Sequence, residues 1–314
     1  MILGFQFLGR CDKIKFLNEN VFSTFEKIII MKNILALVVV LYTISFQAQN
    51  LKKLSKEINE EGIALYRSEM ASWYGTDVFK ANYNKMENVA GYFSYIDESV
   101  PKCIFFSKEN KVLATIAFPT NYNPKDAKLD LKEREFTAIE NEYFTIRQNA
   151  LQRIKTDTIF KFYQNTNFNI VPLIQKNIKK VYVLTGHSQN NVVLFGNDYL
   201  ITFNNKNEIK NVERLHKSMI AQNIHDEKVG KTVGGVHSHI IEKWLTITPT
   251  DICTLMLYQH ITNWESYTVV SKKYVSIWNS NNNLMIMKAE NFRNMAGSII
   301  KNKDNTEGSK EKTE

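Results

Sequence analysis

The chain has 314 residues, 44% of them apolar and 12% aromatic. That is enough to bury a sizeable core and too apolar for a disordered chain. The formal net charge is +8, but Lys and Arg are scattered, with no dense basic stripe and no nucleic-acid-binding motif, which argues against a nucleic-acid partner.

Residues 1–48 stand apart from the rest. From Met31 the sequence "MKNILALVVVLYTISFQAQN" has Lys32, an apolar run from Ile34 to Phe46, then Ala48 and Gln49. The run is short for a bilayer span and suits the h-region of a secretory signal peptide cleaved near Ala48. Met31 then reads as the true start, and 1–30 as an extension. The competing reading is an uncleaved membrane anchor. With cleavage, the mature chain carries no membrane span, and its destination is periplasmic, envelope-associated or extracellular.

An N-terminal region over 49–165 comes next. Leu51, Leu54, Ile58 and Leu65 are spaced for an amphipathic helix over 51–73. Three β-like runs follow at 90–96, 102–107 and 111–118, joined by the turn-formers "DESVP" and "KEN", which predicts a meander. Residues 121–128 read as a loop. Phe136, Ile139, Tyr143, Ile146 and Ile154 predict a second amphipathic helix over 132–155. Within the first helix, Glu69, Trp73 and Asp77 fall at i, i+4 and i+8. They either offer two carboxylates to a ligand or form a helix end whose Trp packs and whose acids are solvated.

A second region over 166–290 is β-rich. Runs at 179–186, 191–196, 198–204, 208–215, 265–271, 274–279 and 284–288, closed by polar turns such as "NSNNN", predict a mostly antiparallel sheet with a single helix at about 249–261. Residues 291–314 are nearly free of apolar side chains towards their end and read as a disordered tail. The fold class expected is α+β, a helix–meander–helix region followed by an antiparallel domain with one inserted helix. Cys103 and Cys253 sit alone on apolar segments. They read as buried thiols, with a disulfide in an oxidising compartment as the alternative.

The chemistry concentrates in "GGVHSHIIEKWLTITPTDICTLMLYQH", residues 234–260. His237 and His239 are two residues apart at the end of an apolar run, so on a strand both imidazoles project from one face. Thr248 is suited to an N-cap, Pro249 to the first helical position, and Asp251 to the first turn, with its carboxylate turned back towards the strand end. Two imidazoles and a carboxylate make a donor set for Zn²⁺ with a fourth position open to water. His216 is a further candidate ligand, brought in by an antiparallel neighbouring strand, which would close the site. The alternative is an ordinary strand end with solvated histidines and a helix start whose aspartate complements the dipole.

Over residues 179–288 these features resemble the JAMM, or MPN-type, metalloproteases, whose pattern is HxH, seven residues, then SxxD. Here His237-Ser238-His239 is followed by eight residues and Thr248-Pro249-Thr250-Asp251. The resemblance implies zinc held by His237, His239 and Asp251. It also implies Thr248 as an oxyanion donor and a peptide or isopeptide-type amide as substrate, the ion polarising the carbonyl and activating water. The chain departs from the pattern in its longer spacer, in Ile240 where the family has proline, and in Lys179, Lys180 and Val181 where the family places its general-base glutamate. Glu208, Glu213 and Glu242 are substitutes that no spacing distinguishes. Two readings of function follow. One is an exported zinc-binding, JAMM-like protein acting as a metal-dependent amide hydrolase. The other is a non-catalytic secreted or envelope-associated binding protein.

Overall fold

The computed structural model describes residues 49–187, 192–224 and 232–298. The predicted extension and signal peptide, 1–48, and the end of the predicted tail, 299–314, lie outside the described residues.

Helix α1 runs over 49–82, well past the predicted end at 73. Gly75 lies inside the helix as a packing requirement: a Cβ there would lie 2.7 Å from the Cβ of Cys103. One face of α1 serves several cores. Ala64 and Leu65 pack with Leu173, Tyr182 and Leu200, whereas Ala71, Val78 and Phe79 pack with Cys103, Phe105 and Ile116. Phe79 and Phe105 stack with ring centroids 3.9 Å apart.

The meander forms as expected, as β1 (Val89–Asp97), β2 (Val100–Ser107) and β3 (Val112–Ala117). It gains a short fourth strand, β4 (Lys128–Asp130), at the end of the predicted loop, so the sheet order is β1-β2-β3-β4. Helix α2 (Ala138–Thr156) starts six residues later than the spacing predicts. Thr137 and Glu140 form a capping box that fixes its first turn. Upstream, Arg134 is held in extended form by a bridge to Val112, and its guanidinium makes a forked bond to the buried Glu140 carboxylate at 2.6 and 2.8 Å. Through Ile146, Ala150 and Ile154, α2 covers a second sheet.

The β-rich half forms several sheets where the sequence predicts one. Strands β5 (Thr166–Gln175), β6 (Ile178–His187), β8 (Tyr199–Phe203) and β9 (Ile209–Arg214) make an antiparallel sheet in the order β5-β6-β8-β9. Strand β5 has no counterpart among the runs expected from the sequence; only Val171, Pro172 and Leu173 of its ten residues are buried. Strand β7 (Val192–Gly196) leaves this sheet and pairs with β10 (Met219–Asn223). The last sheet runs β11 (Gly234–Ser238), β12 (Ser266–Val270), β13 (Tyr274–Asn279) and β14 (Leu284–Lys288). It is antiparallel except for β11 and β12, which pair parallel and are joined through helix α3 (Pro249–Thr262). The molecule is therefore α+β with several mostly antiparallel sheets, as predicted at that level.

A fourth helix, α4, spans 289–298 and runs into the segment, 291–314, expected to be a disordered tail. Cys103 and Cys253 are both buried free thiols, seated in separate clusters. Burial pushes the Cys103 thiol up to about 12. Among the described residues no helix is long and apolar enough to cross a membrane.

Candidate metal centre

Strand β11 delivers its histidines as the period of two requires. Val236 is 58% exposed and His237 and His239 are about 5% exposed, so both imidazoles turn inward. Gly235 makes room for this strand, since a Cβ there would meet the Tyr267 ring at 2.6 Å.

Helix α3 delivers the aspartate. Thr248 and Asp251 form a reciprocal capping box, with Pro249 in the first turn. Asp251 Oδ2 accepts from the Thr248 backbone N–H at 2.8 Å and from the Thr248 hydroxyl at 2.7 Å. That leaves Oδ1 facing the histidines: it lies 3.1 Å from His216 Nε2 and 3.6 Å from His237 Nε2. Asp251 Oδ2 is also 3.5 Å from His239 Nε2, and the Nε2 atoms of His237 and His239 are 3.0 Å apart.

His216 joins this cluster, but not from a neighbouring strand as expected. It sits on the connection between β9 and β10, and β10 pairs with β7 rather than with β11. The connection is pressed against the end of β7, where Gly196 adopts φ +85 and a Cβ would lie 2.3 Å from the Ser218 carbonyl oxygen. Only glycine fits there, both conformationally and sterically.

Two of the three imidazoles are hydrogen-bonded through their other nitrogen, whereas His216 Nδ1 has no hydrogen-bond partner among the described residues and only faces a carboxylate. His239 Nδ1–H donates to the Thr246 carbonyl at 2.8 Å, which fixes the tautomer and leaves Nε2 as a lone pair facing the cluster. His237 Nδ1 is 3.1 Å from the Tyr267 hydroxyl. His216 Nδ1 has the buried Asp198 carboxylate 3.6 Å away. Such outer partners orient metal-binding histidines. Asp198 in turn accepts from the Thr185 N–H at 2.9 Å and from the Thr250 hydroxyl.

The electrostatics match this arrangement. Burial holds His237 down at about 4 and lowers His239 too, so both are neutral imidazoles at pH 7. Burial opposes charge on His216 as well, but Asp251 and Asp198 outweigh it and raise its pKa. Burial would raise Asp251, yet the three imidazoles hold its carboxyl far below the usual range. Burial pushes Asp198 up to about 6 despite His216. Three imidazoles and the Asp251 carboxylate form a donor set, with the Asp198 carboxylate behind it, whose negative charge a divalent cation would offset. His216, His237, His239 and Asp251 could hold one metal ion, with one donor atom from each lying within 4.8 Å of all the others. A small cleft with room for about 80 Å³ of solvent, lined by Ser218, Ile220, Ile240 and Ile241, reaches the three histidines.

No protein-family pattern matches this chain, and no curated protein or solved structure matches it either. The site therefore stands on its own geometry.

The remaining sequence candidates fall elsewhere. Thr248 is buried and its hydroxyl both donates to Asp251 Oδ2 and accepts from Asp251 N–H, so it positions the aspartate. Glu213 pairs with Lys243, Glu208 bonds Asn204, and Glu242 pairs with Lys272 and Lys273. None of the three lines the cleft at the cluster. Lys179 and Lys180, where the resemblance would place a glutamate, pair with Glu142 and Glu61. Two contributors had no sequence signal. Asp198 follows a Gly-Asn turn and reads as the first residue of a strand. Tyr267 reads as one more aromatic on an alternating strand.

Proposed function

We propose that this is an exported zinc protein in which His216, His237, His239 and Asp251 hold one Zn²⁺ in a closed, fold-securing site. A tetrahedral zinc with bonds of about 2.0–2.1 Å sets its donor atoms roughly 3.3–3.4 Å apart. The observation that carries the reading is that four buried residues each turn a donor atom to one point, all within 4.8 Å of one another, with the closest pairs, His237 Nε2–His239 Nε2 at 3.0 Å and His216 Nε2–Asp251 Oδ1 at 3.1 Å, near that edge length. Four protein donors fill the sphere, which is the pattern of a structural rather than an open catalytic site. The ion would fasten three segments that no ladder joins directly: the β9–β10 connection, the end of β11 and the start of α3. Export rests on the signal-peptide pattern at 31–48.

A second reading keeps the likeness to JAMM metalloproteases and treats the protein as an amide hydrolase. The cleft onto the three histidines favours it, since a substrate carbonyl could approach there if His216 gave up its position. In that case a bound zinc supplies Lewis acidity and lowers the pKa of water. Asp198, behind His216 and pushed up to about 6 by burial, is the nearest group able to move a proton.

Metal analysis of the purified chain, with its melting temperature before and after chelation, tests the first reading. One equivalent of zinc, a large fall in melting temperature on chelation and no hydrolysis of peptide or isopeptide libraries are expected. Absence of stoichiometric metal after reconstitution overturns it. Turnover of an amide that His216→Ala preserves or increases would favour the second reading.

A further inference from the structure

A second polar cleft, of about 310 Å³, opens between α1, β1, α2 and β5. That is near the lower end of the roughly 300–1,000 Å³ range of small-molecule sites. Its walls carry groups of opposite kind, acids on one side and a guanidinium on the other. Helix α1 presents Glu69 and Asp77 along one face with Trp73 between them, and α2 presents Arg147. Among the described residues Arg147 has no ion pair or side-chain hydrogen bond, and its Nε is buried without a partner. A largely buried guanidinium that is left unpaired is costly to maintain and is the group of choice for binding a carboxylate. Glu69 bonds only the Asn169 amide, at 2.9 Å, and does not neutralise Arg147. The aromatic lining is unusually open: Trp73 is 51% and Tyr92 37% exposed.

We propose that this cleft binds a free α-amino acid with an apolar or aromatic side chain. Arg147 takes the carboxylate, Glu69 takes the ammonium with Asp77 adding negative charge two turns along the same face, and Trp73 and Tyr92 flank the side chain. The ligand supplies each wall with the charge it lacks, which the chain itself does not do. Burial pushes the Glu69 carboxyl up to about 7, and an incoming ammonium would favour its charged form, so the site gains a counter-ion only on binding. A neutral sugar would leave Arg147 unpaired, and a phosphate dianion would face two carboxylates.

Isothermal titration of the full chain with the common L-amino acids tests this, with N-acetyl-L-phenylalanine, L-phenylalanine amide, inorganic phosphate and neutral disaccharides as separate arms. Saturable binding of one or more apolar L-amino acids is expected, weakened tenfold or more by blocking either the amine or the carboxylate. Arg147→Gln should abolish discrimination against the amide. Trp73→Ala, at an exposed position, should weaken binding about tenfold with the melting temperature unchanged. Binding of no amino acid, equal binding of the blocked forms, preference for phosphate or a disaccharide, or unchanged binding in both variants would overturn the assignment.

Discussion

His216 Nε2 and Asp251 Oδ1 lie 3.1 Å apart although 35 residues separate them in the chain. Asp251 uses its other oxygen to cap α3, and His216 uses its other nitrogen to face Asp198. The contact therefore ties the start of α3 to the β9–β10 connection, and its disruption should be felt both as lost metal and as lost stability.

Asp251→Asn separates these two jobs. The amide oxygen can still accept from the Thr248 N–H, so the cap survives with a loss of about 1 kcal/mol or less. The anionic donor is gone, and bound zinc should fall below a tenth of an equivalent by elemental analysis. Retention of full zinc would remove Asp251 from the ligand set.

Tyr267→Phe deletes only the hydroxyl beside His237 Nδ1. The ring stays in its cluster with Phe195 and Trp264, so the melting temperature of the metal-free protein should move little. Zinc affinity, measured by competition with a chromogenic chelator, should drop roughly 10- to 100-fold, as expected when an outer-shell partner of a histidine ligand is lost.

Gly62→Ala probes how α1 supports the site. The added Cβ would lie 2.6 Å from Ile252 Cβ and 3.0 Å from the Pro249 carbonyl oxygen. The first turn of α3 must move to admit it. A cost of about 1–3 kcal/mol in denaturant unfolding is expected from overpacking, together with weaker zinc binding through displaced Asp251. Unchanged stability would show that the two helices separate freely at this point.

Glu69→Gln gives a pH-dependent effect of defined sign. The Glu69 pKa is raised by burial from 4.5 to about 7. The folded state therefore binds the proton more tightly than the unfolded state, and the stability this contributes is present below about pH 4.5 and lost as pH rises to about 7. Glutamine mimics the protonated acid. The variant should match the parent at pH 4.5 and exceed it at pH 8 by on the order of 1–2 kcal/mol, the cleft's solvent reducing the full effect. Equal melting temperatures of the two proteins at pH 8 would contradict it.

Local order could be read directly from residue patterns. The β1–β2–β3 meander, the i, i+2 projection of His237 and His239, and the Thr248–Asp251 cap each depend on spacings of a few residues, and each occurs where predicted. Boundaries failed where packing set them. Gly75 lies inside α1 because Cys103 needs the space, and Phe136 lies outside α2 because Arg134 is pinned to Val112. The division of the β-rich half into separate sheets was also hidden, since every strand there carries the same alternating pattern whichever partner it takes.

By itself, the sequence determined the α+β class, the facing of two histidines and the placement of an aspartate in the first turn of a helix. Only the tertiary structure decided that His216 joins the other three side chains, that Asp198 and Tyr267 stand behind the histidines, and that Glu69, Asp77 and Arg147 line one cleft. The first group follows from backbone periodicity, which repeats within a few residues. The second follows from how helices and sheets pack across the chain, where burial makes each unpaired polar group costly and so selects partners that no spacing announces.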